Sequence, residues 1–110
     1  MAFDNLMTLR AQAINVEDYT AAASFYTNDG LLAGPFGAFK GAEKIQGFFA
    51  SLRPTVTQYD YDYRRCNADD CTFKGQYDFS ELGKYDFKIT LDEGKIVEEV
   101  VTEPDAYDVE

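Results

Sequence analysis

Few residues in this chain can do chemistry, and Glu99 stands out among them because it sits in "KIVEEVVT", a carboxylate among apolar β-formers. A carboxylate buried on such a strand face has its charged form desolvated, which suits it to carry a proton. Which glutamate faces inward depends on the preceding turn, "DEGK". A three-residue turn with a glycine bulge at Gly94 brings Val97, Glu99 and Val101 inward, whereas a four-residue turn brings in Ile96, Glu98 and Val100. The competing role for Glu99 is structural, near an open rim or a dimer interface and paired with Arg10, Arg64 or Arg65.

The remaining inventory narrows the chemistry by what it lacks. The 110 residues contain no histidine, which removes His-Asp acid/base pairs and the commonest metal ligand. No metal or cofactor is expected. The two cysteines lie in "CNADDC", where a hairpin would bring its arms together. If the aromatic faces of the strands align, Tyr61 pairs with Gly75 or Tyr77, and Cys66 and Cys71 then point to opposite faces unless a bulge intervenes. In a reducing compartment both are expected to be structural thiols, with no histidine to activate either.

Charge limits the partners. Twenty acidic residues against ten basic ones give a formal net charge of -10, which repels phosphate backbones and anionic headgroups, so neither nucleic acid nor membrane is an expected partner. The N-terminal stretch "MAFDNLMTLRAQAINVED" has no basic region followed by an apolar run, and no window reaches the length of a membrane span. A soluble, cytoplasmic protein is expected. Residues 1–53 hold five acids and four bases, and residues 54–110 hold fifteen and six. The excess acid therefore belongs to the second half, where it alternates with aromatic side chains as on a solvated sheet face.

Two kinds of element must position these groups. Asp4 can cap a first helix with Leu6, Leu9 and Ala13 on one side, and Asn15 with Asp18 gives a capping signal for "VEDYTAAASFY", which "NDG" then stops. The cleanest helix is "GAEKIQGFFASLRP", with Ile45, Phe48, Phe49 and Leu52 on one face and Pro54 at its end. After Pro54 the period becomes two. Tyr59, Tyr61 and Tyr63, then Phe73, Tyr77 and Phe79, then Tyr85, Phe87, Ile89 and Leu91 alternate with polar residues. Turn signals fall at "NADD", "ELGK" and "DEGK". Four antiparallel strands joined by hairpins follow, and with a short strand at "GLLAG" the fold class is α+β, a curved antiparallel sheet wrapped around helices.

The order helix, helix, "FYTNDGLLAGPFGAFKGAEKIQGFF", then a meander ending in "LDEGKIVEEVV" resembles the nuclear transport factor 2-like superfamily, which includes SnoaL-like polyketide cyclases and ketosteroid isomerase. The resemblance spans a single domain over residues 1–103, followed by an acidic tail over 104–110. It implies a cone-shaped α+β barrel whose open end admits a small apolar ligand, and commonly a homodimer built through the sheet. The same cone serves isomerases, dehydratases, cyclases, hydrolases and non-catalytic binders, so the fold leaves the function open.

Carried over residue by residue, the isomerase site is incomplete. Its general base precedes the Pro-Phe-Gly bend, where this chain has Gly34. Its oxyanion-binding tyrosine falls on Arg10, and its protonated aspartate falls on Phe87 or, with a turn one residue longer, on Asp86; face parity favours Phe87. Tyr26 matches one supporting tyrosine, and Phe49 stands where a second would be. An epoxide hydrolase of the limonene type needs an Asp-Arg-Asp group, for which only Arg10 is in place. The alignment favours Glu99 over Glu98 as the inward carboxylate. The expected pocket is therefore Arg10, Tyr26, Phe36, Phe49, Tyr61, Tyr77 and Phe87, with Glu99 the proton carrier of any catalysis.

Two functions compete on these residues. One is a domain that binds a small apolar ligand, with or without isomerase, cyclase or dehydratase chemistry. The other is an assembly module whose cone is filled and whose aromatic sheet face meets a partner. An open apolar cavity of roughly 300 Å³ or more marks the first, and a large exposed aromatic patch marks the second. Surplus apolar surface on the strands would also drive a homodimer through the outer sheet face. With no side chain at Gly34 and no oxyanion partner, the purified protein should not isomerise a 3-oxo-Δ5 steroid above the uncatalysed rate. Each missing function is worth several kcal/mol of transition-state stabilisation. Ultraviolet absorbance of the conjugated product checks this, and measurable turnover would show that a working base had been missed.

Overall fold

A computed structural model describes residues 3–67, 70–80 and 82–103. The acidic tail lies outside the described residues. Helix α1 (Phe3–Asn15) turns Phe3, Leu6, Met7, Arg10, Ala13 and Ile14 into the protein, a recurrence of three and four residues that makes one face. Leu9, expected on that face, is 42% exposed, and Arg10 occupies the inward position instead. Helix α2 (Tyr19–Ala23) is short and is capped by Asp18, whose side chain accepts a hydrogen bond from the Ala21 amide. Asn15, expected as part of that cap, closes α1 and bonds both backbone groups of Val56, at 2.8 and 2.9 Å. It ties the helical layer to the first long strand. The segment "NDG" does not stop a helix but lies within the following strand.

The strands are β1 (Tyr26–Gly34), β2 (Gly37–Lys40), β3 (Val56–Asn67), β4 (Asp70–Phe79), β5 (Gly83–Asp92) and β6 (Lys95–Thr102), with α3 (Ala42–Leu52) between β2 and β3. They form one six-stranded sheet in the order β2-β1-β6-β5-β4-β3. The expectation of a wholly antiparallel sheet needs correction, because β6 lies beside β1 and runs parallel to it. "GPFG" is the tight connection of β1 to β2, with Gly34 opposite Gly37. In α3, Ile45 and Phe49 are buried, while Phe48 and Leu52 are half-buried. Arg53 takes a left-handed conformation just before Pro54 and ends the helix. Among the described residues no helix is long and apolar enough to cross a membrane.

Phe73, Tyr77, Phe87, Ile89, Leu91 and Ile96 are buried on the inner face of the sheet. The closed end of the cone is plugged by an aromatic cluster in which Phe3 stacks on Phe73 at 3.8 Å and meets the edge of Tyr61 at 4.9 Å. The alternating positions Asp60, Lys74 and Lys88 are exposed. Most of the strand aromatics thus pack on the inner face, while Tyr63 on β3 stays 38% exposed.

Register is interrupted in β3, where Tyr61 pairs with Gly75 but Tyr63 pairs with Lys74. The extra residue, Asp62, reverses the parity of everything after it. Cys66 consequently lies directly opposite Cys71, and the two form a disulfide, which corrects the expectation of two reduced thiols. Pairing has the expected parity from Gln58 to Tyr61, and the bulge reverses it beyond. Protein purified in air should present no alkylatable thiol until it is reduced; labelling of both cysteines beforehand would contradict the pairing. Gly75 sits against the same bulge, and a Cβ there would stand 2.0 Å from the Asp60 carbonyl oxygen and 2.6 Å from Tyr61 Cα. Both atoms are β3 backbone, which cannot swing aside as a side chain can, so Gly75→Ala should cost about 3 kcal/mol in urea unfolding.

Candidate functional site: a buried arginine–glutamate cluster under an apolar cleft

The turn before β6 decides which glutamate is inside. Asp92 pairs with Lys95 across a two-residue loop. In that loop Glu93 and Gly94 both have positive φ, of 53° and 85°, as a tight twisted hairpin requires. Neither expected turn length is realised. Leu91 then pairs with Ile96, but Thr90 pairs with Glu98 and Ile89 with Glu99, so Val97 is the extra residue of a bulge and is 37% exposed. The bulge lies at Val97 and not at Gly94. Without it Glu98 would face inward; with it both Ile96 and Glu99 are buried.

Glu99 meets residues from three other elements. Arg10 of α1 places Nη1 2.6 Å from Glu99 Oε1. The same Nη1 donates to the Tyr26 hydroxyl at 2.8 Å. Arg10 Nη2 donates to the Tyr77 hydroxyl and, at 3.5 Å, to Met7 Sδ. The phenols complete the set, Tyr26 donating to Glu99 Oε1 and Tyr77 to Oε2. Of the two roles considered for Glu99, the geometry is that of the ion pair with Arg10. The carboxylate is the shared acceptor of three donors. Arg64 and Arg65, the other candidate partners, are exposed on β3.

Electrostatics follow from this enclosure. Burial opposes the charge on Arg10, but Glu99, Tyr26 and Tyr77 together outweigh that and hold the guanidinium well above its ordinary value. Burial likewise pushes the phenols of Tyr26 and Tyr77 well above the usual range, against the pull of Arg10. Both phenols therefore remain neutral donors, and the cluster as a whole has no net charge.

Above the cluster lies an apolar cleft of about 50 Å³. Arg10, Tyr77 and Glu99 form its floor, Phe48, Phe49 and Val101 its walls. Phe36, 43% exposed, stands at its rim. Arg10, Phe36, Phe49, Tyr77 and Glu99 thus border the cleft as expected from sequence, whereas three other expected lining residues do not. Tyr26 joins the cluster behind it, and Tyr61 and Phe87 belong to the packing at the closed end, Phe87 against Tyr77 at 4.5 Å. Sequence reasoning missed Leu32, Phe39, Phe79 and Val101 as lining residues. Phe79 and Val101 carried a signal, the two-residue alternation with Tyr77 and Glu99. The volume is well below that expected of a ligand pocket, because the cone is largely filled by its own side chains. At Gly34, a Cβ would stand 3.0 Å from the Val101 carbonyl oxygen, so β6 crowds the position at which the isomerase carries its base.

Solved structures share this architecture. A protein of unknown function from Cytophaga hutchinsonii described as NTF2-like superposes with a TM-score of 0.69 at 16% identity, over 100% of this chain and 96% of that one. ActVI-ORFA from Streptomyces coelicolor gives 0.71 at 13% identity, over 91% and 93%. A ketosteroid isomerase-like protein from Erwinia carotovora atroseptica gives 0.71 at 17% identity, over 93% of each chain. The chain has the nuclear transport factor 2-like fold. No protein-family model matches the sequence, and no curated protein does. Likeness at these identities is a likeness of fold, and the cluster must be read from its own geometry.

Two measurements test that geometry. Removing one member of a buried pair leaves the other charge uncompensated, so Glu99→Leu should cost about 3–5 kcal/mol in urea unfolding, and the double variant Arg10→Met with Glu99→Leu should recover much of that. Additive losses would mean that the two side chains do not depend on each other. In alkali, unfolded phenols ionise near pH 10 while Tyr26 and Tyr77 keep their protons in the native state. Their contribution is intact below that pH and is lost as the pH rises above it. The urea midpoint should fall between about pH 9 and 11, less steeply in Tyr77→Phe, and equal slopes would refute the assignment.

Proposed function

We propose that this protein binds a small, largely apolar molecule in the cleft and orients it against the Arg10–Glu99 cluster. The observation that carries the reading is the junction itself: apolar walls of Phe48, Phe49 and Val101 end on polar side chains that are buried and mutually satisfied. Such a junction supplies affinity from the walls and orientation from the floor. At about 50 Å³ the cleft takes only part of a ligand, a ring edge or a small branch, with the remainder emerging past Phe36.

A catalytic reading is carried by Glu99 alone. Its carboxylate already accepts from Arg10, Tyr26 and Tyr77, which leaves a single acceptor site, on Oε2, for a substrate proton. The names of the structural neighbours, among them a putative polyketide cyclase from Sinorhizobium meliloti, keep that chemistry as the second reading. The filled cone is what the assembly-module reading expects, but the other mark of that reading, a large exposed aromatic patch, is lacking among the described residues. Among the described aromatic residues, Phe36 and Tyr63 are the large exposed ones, and they lie on different elements and form no continuous patch.

Toluene is a suitable first probe because it carries no polar group. Amide spectra of the ¹⁵N-labelled protein should shift for Phe48, Phe49 and Val101 at millimolar toluene, and Val101→Phe, which fills the cleft, should abolish the shifts. An unchanged wild-type spectrum would end the binding reading. Shifts that persist in Val101→Phe would move the site elsewhere.

A further inference from the structure

The hydrogen-bond inventory of the cluster specifies what its ligand must bring, on the reading that the cleft is a binding site. Arg10 spends its Nη1 protons on Tyr26 and Glu99 and its Nη2 protons on Tyr77 and Met7 Sδ. Each phenol has one proton, and both go to Glu99. The protons of these terminal groups are therefore committed inside the cluster. Acceptor capacity is not. A carboxylate offers about four acceptor sites; Glu99 Oε1 receives two donors and Oε2 receives one. Of the residues concerned, Arg10, Tyr77 and Glu99 line the cleft, and Tyr26 does not. The acceptor position left at Oε2 lies beside the Tyr77 hydroxyl, and both residues border the cleft.

Charge gives the second constraint. Arg10 and Glu99 cancel, and both phenols stay protonated, so a charged ligand group would enter an apolar cleft without a counter-charge. We propose that the site selects a neutral ligand bearing a hydrogen-bond donor, an alcohol or phenol O–H, and discriminates against the matching acceptor-only and anionic compounds. An O–H placed over Oε2 completes the carboxylate without disturbing any existing bond. An ether, ketone or fluorine at the same place meets acceptor against acceptor and gains a partner only by displacing a phenol from Glu99. A carboxylate ligand adds like-charge repulsion to that mismatch.

The test uses the wild-type protein and compounds of one shape. p-Cresol carries the donor, 4-fluorotoluene replaces it with an acceptor of similar size, and p-toluate carries a negative charge. Titrations followed by amide shifts should give p-cresol a Kd about tenfold or more below that of 4-fluorotoluene, with p-toluate the weakest. The ¹³Cδ resonance of Glu99 should move with p-cresol and stay fixed with 4-fluorotoluene. Equal affinity for p-cresol and 4-fluorotoluene, with shifts in the cleft, would overturn donor selection and leave the cleft a binding site. Tightest binding by p-toluate would overturn the neutrality requirement. Silence from every compound, toluene included, would overturn the binding reading and this inference with it.

Discussion

One ion pair, Arg10 with Glu99, fixes α1 against the inner face of the sheet. Its guanidinium comes from α1, its carboxylate from β6, and the two phenols that complete it from β1 and β4. A buried pair of this kind contributes little net stability, since desolvation offsets attraction; its effect is on uniqueness, because any packing that separates the partners leaves a bare charge inside. The inner surface of the cone is otherwise aromatic and aliphatic, and such side chains tolerate sliding. The cluster removes that freedom by requiring four groups to meet at one point.

The same interaction explains why a site sits here and not at the bend. In this chain the bend holds Gly34, crowded by Val101 on the neighbouring strand. The buried polar groups of the cluster meet at the junction of α1, β1, β4 and β6. The cleft is consequently bordered by aromatic rings at its sides and by the cluster at its floor, while the plug of Phe3, Tyr61 and Phe73 closes the far end.

Much of this architecture was legible in the sequence, and its failures have a common cause. Period-two aromatics identified β3 to β5, the spacing of Ile45 and Phe49 identified α3, and the resemblance to the cone-shaped family brought Arg10, Tyr26, Tyr77 and Glu99 together as candidates. What could not be read was the pair of bulges. The extra residue at Asp62 aligned Cys66 with Cys71, and the extra residue at Val97 put Glu99 inside together with Ile96. Neither residue has a composition that announces a bulge, because the signal is the requirement to bend a sheet around helices, a tertiary condition. Leu9 failed for a related reason: a helix-wheel count prefers leucine over arginine for burial until a carboxylate is known to wait on the other side.

The placement of β6 between β1 and β5 has a consequence for how the chain comes into being. During synthesis the segment carrying Glu99 emerges after the other described elements, so β1 has no parallel neighbour and Arg10 no counter-charge until β6 is available. A nascent chain that stops short of it offers two open sheet edges and an inner arginine with nothing opposite. Closure joins residues far apart in sequence, as slow-forming topologies do. Quality control is thereby built into the order of the strands, since an incomplete copy lacks the carboxylate that makes burial of Arg10 tolerable.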